Sequence, residues 1–327
     1  MCLTHKPSLV SDIMGFSISP IPSTTQIFTL GAKLWADYLQ EVGGDEMTDR
    51  TRIASYGDNE SVLVDEVNGG EGLFVVTMNN PQEFNVLSSG FMRAIAEAFD
   101  GITALRNPDP NNDRVRAVIL RAEGRAFTVG LDIGKLDEYL EGGITPAGDP
   151  FRAMWECPFP IIGAVNGPAV TGGFEIALCC DVLLASERAV FMDNHAKYGV
   201  HPGRRISQRL AQVCGMNNAK LATMAAYPID AQLAFNWGLV QRVFATNEEL
   251  DRESLNIARL MSQNHPVMVK RYKNLLERGA LDSYRAGLAL EENSETTYYD
   301  DLTDVAVTLK DGAEKFRAMV RWVAERD

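Results

Sequence analysis

From Ser61 onward the apolar residues gather into short dense runs separated by polar breaks. Val62 to Val67 and Leu73 to Met78 are rich in β-branched residues and are divided by Asn68-Gly69-Gly70, which predicts a β-hairpin. Phe91, Ile95, Ala98, Phe99 and Ile102 then recur at helical spacing, and Pro108 with the Asn/Asp-rich turn Pro110 to Asp113 closes that helix. Val115 to Leu120 reads as a buried strand. A further strand, Ile161 to Val165, opens after Pro160, and the short helical pattern Phe174 to Cys180 precedes a strand over Asp181 to Ala185. Strands alternating with helices predict an α/β fold coiled in the right-handed sense around a shared core.

After Pro202 the pattern turns mostly helical, through Ile206 to Val213, Asn217 to Ala225, Ala231 to Trp237, Glu248 to Ser262 and Pro266 to Glu277. Before Ser61 the signals are weaker. Gln26 to Val42 has the spacing of a short amphipathic helix and Gly43 to Glu60 is polar, so residues 1–60 are read as an N-terminal extension without an assigned role. No repeat of solenoid type is present.

Composition narrows the function classes. A chain of 327 residues, 46% hydrophobic, holds one main domain and a helical tail rather than several independent domains. Its formal net charge of −13 disfavours nucleic acid and anionic membrane surfaces as partners. No run approaches the roughly 18 apolar residues of a membrane-spanning helix, and the start lacks a basic segment followed by an apolar one. Asp37, Glu41, Asp45 and Glu46 also run against an organelle transit peptide. The five cysteines, Cys2, Cys157, Cys179, Cys180 and Cys214, show no C-x-x-C pairing and read as reduced core residues, the pattern of a cytoplasmic protein without a metal site.

The richest chemical signal is Pro160 to Glu175, a strand, a glycine loop and a helix start. It is not a P-loop, because Gly173 and Phe174 stand where the Lys and the hydroxyl residue belong. A dinucleotide G-x-G-x-x-G and a hydrolase G-x-S-x-G are both missing. What remains is a loop whose backbone can approach a ligand at Gly172 and Gly173, followed by a helix whose first amides lack partners. Such amides stabilise developing negative charge, although a Gly-Gly pair also serves close helix packing. Glu175 is the only charge besides Asp181 between Ala169 and Leu184. Either it is buried with a tuned proton affinity, or it is an exposed glutamate favoured by the helix dipole. A second segment, Arg125 to Ile133, again puts a glycine between a strand and a helix start. Its Leu131 amide can stand as a second donor beside that of Gly172.

These two segments resemble the crotonase, or enoyl-CoA hydratase/isomerase, superfamily. Its G-x-x-F-x-x-G-x-D loop is matched by Gly124, Phe127, Gly130 and Asp132, and its A-x-N-G-x-x-x-G-G-x-x-E element by Ala164, Asn166, Gly167, Gly172, Gly173 and Glu175. The likeness runs from about Val62 to Gly279. It implies a spiral of ββα repeats over 61–262 and a helical trimerisation region over 263–327, with Glu291 to Arg326 supplying self-association helices of a homotrimer or a hexamer. It implies an acyl-CoA substrate, coenzyme A being part of that substrate rather than a resident cofactor. Leu131 and Gly172 would hold the thioester oxygen and Glu175 would act as acid/base. Glu83, Phe84, Val86, Asp132 and Ile133 would line the CoA site.

Hydratases of this family use a second carboxylate twenty residues after the first, and here that position is His195. Histidine transfers protons near neutral pH, so His195 stands as the partner of Glu175, with Asp193 as a lesser replacement. In Gly199 to Arg205, where relatives carry a small glycine-rich turn, Arg204 and Arg205 either face CoA phosphates or a neighbouring subunit, or lie solvated on the surface. The resulting expectation is enoyl-CoA hydration. Double-bond isomerisation needs only one carboxylate and stands as the alternative, and a non-catalytic acyl-CoA binder is the alternative of another class.

Overall fold

The computed structural model describes residues 49–132, 148–277 and 289. The expected helix over Gln26 to Val42, Ile133 with the helix expected after it, and Glu291 to Arg326 lie outside those residues.

Ten strands occur among them: β1 (Arg50–Tyr56), β2 (Val62–Val67), β3 (Leu73–Met78), β4 (Ala117–Ala122), β5 (Ile161–Val165), β6 (Ala169–Val170), β7 (Val182–Ser186), β8 (Val190–Met192), β9 (Ile229–Asp230) and β10 (Arg242–Phe244). The helices are α1 (Ser89–Ala104), α2 (Pro150–Glu156), α3 (Gly172–Leu178), α4 (His195–Tyr198), α5 (Ile206–Cys214), α6 (Met216–Met224), α7 (Ala231–Asn236), α8 (Asn247–Ser262) and α9 (266–277). The main sheet has the order β1-β2-β3-β4-β5-β7-β10, and a small second sheet has the order β6-β8-β9. β1, β2 and β3 pair antiparallel, whereas β3-β4, β4-β5, β5-β7 and β7-β10 are parallel. The architecture is the expected α/β fold around a mostly parallel sheet.

Burial on both faces explains why β3, β4 and β5 read as continuous apolar runs. One face, with Phe74, Val76, Val118 and Leu120, packs on Phe91, Ile95 and Phe99 of α1 in the larger core. The other, with Val75, Ile119, Ile162 and Leu184, is covered by Leu250, Leu255 and Ala258 of α8. α8 starts where Thr246 Oγ1 accepts from the Glu249 amide (3.1 Å) and Glu249 Oε2 accepts from the Ala245 amide (3.1 Å), a reciprocal capping arrangement.

The predicted onset of regular structure at Ser61 is corrected by β1. That strand lies inside the polar stretch and pairs with β2 from Arg50↔Val67 to Tyr56↔Val62. Its burial alternates only weakly because it is the sheet's edge: Ala54 and Tyr56 pack on the core, and Arg50 and Arg52 both pair with the buried Asp65. Two core-facing residues on an edge strand are too few to set a period, so apolar periodicity could not reveal it.

α9 is tied to the core by charge. Lys273 Nζ donates to Asp181 Oδ2 and to the Phe159 carbonyl, each at 2.9 Å, while the same carboxylate oxygen accepts from the Ile161 amide at 2.7 Å. Burial pushes the Lys273 ammonium toward release of its proton, but Asp181, Cys157 and Glu277 together outweigh burial, and the net shift is upward. Breaking a buried pair from one side costs about 3–5 kcal/mol, and water reaching the Asp181 side lowers that here to roughly 2 kcal/mol. Lys273→Met is therefore expected to lose about 2 kcal/mol in denaturant titration at neutral pH. Because the folded-state proton affinity is raised, the contribution is complete below the ordinary lysine value and disappears as pH rises through the higher folded one. The gap between wild type and variant should close at strongly alkaline pH.

Candidate active site

Because β3, β4 and β5 run parallel, their carboxyl ends open on one side, and the loops 79–88, 123–132 and 166–171 emerge together there. Main chain ties loop to loop. The Thr128 amide donates to the Pro168 carbonyl (3.2 Å), the Val170 amide to the Thr128 carbonyl (3.0 Å), the Leu87 amide to the Gly130 carbonyl (2.8 Å) and the Val129 amide to the Phe84 carbonyl (3.3 Å). Asn85, fully buried, adds a polar rivet: its amide donates to the Glu123 and Ala126 carbonyls and its oxygen accepts from the Asn80 amide. Asn166 does the same for the third loop through the Gly124 carbonyl (2.9 Å).

This stitching brings Leu131 and Gly172 side by side. A methyl group built on Gly172 would lie 3.8 Å from the Leu131 nitrogen and 3.3 Å from Leu87. Gly130 sits between them at φ +84°, where a methyl would meet the Val170 carbonyl at 2.4 Å and the Gly172 nitrogen at 3.3 Å, so only glycine fits. Gly172 opens α3, and its N–H has no acceptor within the helix.

Thr171, just before α3, holds φ 52° and ψ −110°, a conformation strained for a β-branched residue. Its surroundings enforce it. The Thr171 amide donates to the Met192 carbonyl of β8 (2.8 Å), and its own carbonyl accepts from the Glu175 amide (3.0 Å). The hydroxyl is buried without a hydrogen-bond partner.

Glu175 points inward from the first turn of α3 and is 3% exposed, which decides between the two readings of it. One oxygen, Oε1, accepts from the Arg204 backbone amide at 3.0 Å. The other, Oε2, stands 3.9 Å from His195 Nε2. His195 is also buried, at the start of α4, and its Nδ1 is 2.6 Å from Asp193 Oδ1. Asp193 is thus a neighbour of His195 rather than a substitute for it. Burial pushes the Cys179 thiol, one turn beyond Glu175, up to about 12, so thiolate chemistry is not available there near neutral pH.

The expected CoA-site residues divide. Phe84 and Val86 pack beside Ala126, Val129, Val170 and Tyr198. Leu131 bridges in parallel to Leu87, which sets the adjoining Asp132 at the mouth of the same loops, and Glu83 is exposed there. Ile133 is outside the described residues. The solvated alternative for Arg204 and Arg205 is corrected. Both are half-buried: the Arg204 guanidinium lies 5.8 Å from the Phe151 ring centroid and that of Arg205 4.0 Å from the Trp155 ring. Sequence reasoning missed the Arg204 amide, since a main-chain donor leaves no trace in residue type, and missed Asn85 and the strain at Thr171.

Comparison with known proteins agrees with this geometry. The family model described as enoyl-CoA hydratase/isomerase matches residues 68–316. The chain is 33% identical over 256 residues to the probable peroxisomal enoyl-CoA hydratase 1 of Arabidopsis thaliana, covering 78% of this chain and 90% of that protein. It is 34% identical over 226 residues to the short-chain-enoyl-CoA hydratase of Clostridium acetobutylicum, covering 67% and 83%. A solved enoyl-CoA hydratase/isomerase from Pseudoalteromonas atlantica matches with a TM-score of 0.65 at 30% identity, over 79% of this chain and 97% of that one. Fold and loop geometry define an enzyme of acyl-CoA thioesters. The chain belongs to the enoyl-CoA hydratase/isomerase family.

The strain at Thr171 makes a measurable prediction. Relief of about 1–3 kcal/mol of backbone strain, together with loss of a buried unpaired hydroxyl, exceeds the roughly 0.5–1 kcal/mol of added chain entropy that glycine brings to the unfolded state. Thr171→Gly is expected to raise stability by about 1 kcal/mol in equilibrium denaturation, and an unchanged or lowered midpoint would show that the conformation is unstrained.

Proposed function

We propose that the protein hydrates 2-enoyl-CoA thioesters, with the thioester oxygen bound by the Leu131 and Gly172 amides and the proton work divided between Glu175 and His195. The observation that carries this reading is the 3.9 Å gap between Glu175 Oε2 and His195 Nε2 beside the paired amides. A water at ordinary hydrogen-bond distance from both atoms subtends roughly a right angle, close to its own bond angle. Each oxyanion donor is worth about 3 kcal/mol of transition-state stabilisation in comparable sites. As the water oxygen bonds C3, the alkene pair shifts toward the thioester, negative charge gathers on its oxygen, and the two amides meet it.

Glu175 suits the base. Its Oε1 accepts from the Arg204 amide, and its Oε2 borders the gap toward His195 where the water would give up its proton. Phe84, Val86 and Asp132 hold the CoA portion at the loop mouth, with Glu83 and Ile133 as further contacts. Coenzyme A enters and leaves as part of the substrate, with no resident cofactor. The chain works as a homotrimer or a pair of trimers through 263–327, in the reducing cytoplasm, a setting supported by the free thiols of Cys157, Cys179, Cys180 and Cys214.

Double-bond isomerisation is the competing reading, favoured by a histidine where a second carboxylate would stand. The purified protein should consume a 2-enoyl-CoA with loss of its conjugated ultraviolet absorbance. Formation of that absorbance from 3-enoyl-CoA, with no loss from 2-enoyl-CoA, would give the reaction to isomerisation. Glu175→Gln is expected to lower kcat for hydration about a thousandfold while KM changes little. Hydration surviving in that variant would remove Glu175 from the chemistry.

A further inference from the structure

The Leu131 amide is aimed by the peptide plane that carries it. In a trans peptide the N–H points opposite to the carbonyl of the same plane, and the Gly130–Leu131 peptide is trans. Its carbonyl, that of Gly130, accepts from the Leu87 amide at 2.8 Å, so its N–H, that of Leu131, is turned away from the Leu87 amide. The preceding planes are held by other groups. The Gly130 amide donates to Thr128 Oγ1 (3.2 Å) and the Val129 amide to the Phe84 carbonyl (3.3 Å). The direction of the Leu131 donor therefore depends on where loop 79–88 places Leu87.

Asn85 sets that place. It is 0% exposed and sits at φ 54°, in the left-handed region that asparagine enters more readily than most residues. Its Nδ2 donates to the Glu123 carbonyl (2.9 Å) and the Ala126 carbonyl (3.0 Å), and its Oδ1 accepts from the Asn80 amide (2.8 Å). Its own amide donates back to the Asn80 carbonyl at 2.9 Å. The three side-chain bonds call for two donors and one acceptor on a short stem, which a primary amide supplies. A carboxylate offers acceptors alone, and a hydroxyl has a single proton to give. One buried side chain thus fixes the start of loop 79–88 against the start of loop 123–132, two residues before Leu87 meets Gly130. The Asn166 bond to the Gly124 carbonyl joins loop 123–132 to the third loop, and so bears on the Gly172 side of the site.

We propose that Asn85 is a positioning residue for catalysis: by fixing loop 79–88 against loop 123–132 it sets the Leu87 bond to the Gly130 carbonyl, and through that trans peptide it aims the Leu131 N–H at the thioester oxygen. This rests on the reading of Leu131 and Gly172 as the oxyanion donors. Asn85 itself touches no reacting atom. Without its side chain the Gly130–Leu131 plane is free to turn, and a turned donor loses most where negative charge develops. The effect therefore falls on kcat. Phe84 and Val86, which hold the CoA portion in the same reading, flank Asn85, so a general collapse of the loop registers in KM instead.

The test compares the full-length wild type with Asn85→Asp and Asn85→Gly. The first keeps the size of the side chain but sets acceptor oxygens against the Glu123 and Ala126 carbonyls, and the second keeps the left-handed turn and removes the side chain. Hydration kinetics and thermal midpoints are measured together with the infrared carbonyl stretch of a bound saturated acyl-CoA carrying carbon-13 at the thioester carbon. Hydrogen bonds to the oxygen lower that stretch. In both variants kcat should fall about tenfold to a hundredfold with KM within about threefold, and the bound stretch should move back toward its value in solution. A folded variant with wild-type kcat, a loss confined to KM, or an unmoved stretch overturns the proposal. Should Asn85→Asp fail to fold, Asn85→Gly decides by the same readings. A wild type whose bound stretch equals that in solution overturns the oxyanion reading beneath. A wild type with a lowered stretch and no hydration overturns hydration alone, and the stretch in the variants still decides the role of Asn85.

Discussion

Leu131 and Gly172, far apart in sequence, lie side by side only because the loops carrying them are tied together by main chain. The reciprocal bonds between Thr128 and the Pro168–Val170 segment, and the bond from Leu87 to the Gly130 carbonyl, do this. They extend sheet-like pairing past the ends of β4 and β5, so the loops inherit the rigidity of the sheet. Glycine is required wherever a side chain would wedge these strands of backbone apart. At Gly173 a methyl would meet the Thr128 carbonyl at 2.3 Å. The spacing of glycines in both motifs is therefore a record of loop-to-loop contact before it is a record of catalysis.

The costs of the site fall at its centre, and each is met by a neighbour's backbone. Thr171 is held in a strained conformation by the Met192 carbonyl and the first turn of α3. Burial of the Glu175 carboxylate is offset in part by the Arg204 amide. Arg205, the next residue, takes φ 75° at the start of α5, a left-handed turn that a glycine would adopt without cost. Its guanidinium stacks on Trp155, and that contact helps hold the turn that brings the Arg204 amide to Glu175.

The parallel strands and the long helices were legible because burial on two faces, or on one helical stripe, writes itself into residue type. β5 matches its predicted span and α1, α5, α6 and α8 fall within a few residues of theirs. β6, β8, β9 and β10 escaped, since two or three residues cannot establish a period. β1 escaped because only Ala54 and Tyr56 of it reach the core, and its other anchor is the ion pairing of Arg50 and Arg52 with Asp65. At the site, Glu175, Gly172 and Leu131 were readable from motif spacing, while the Arg204 contribution was not. His195 was found by its place in the pattern, and its pairing with Asp193 became visible only when β8 ended at Met192 and the chain turned into α4.

That turn also explains how a histidine is accommodated at a position where the family resemblance leads to the expectation of a carboxylate. A second glutamate would put two like charges across the gap from one another, and one of them would have to hold a proton for the pair to persist in a buried site. Histidine places a buried imidazole at that position instead, with the Asp193 carboxylate 2.6 Å behind its Nδ1. Asp193 and His195 form one unit of the fold, because a single carboxylate oxygen accepts from the His195 backbone amide and contacts its ring.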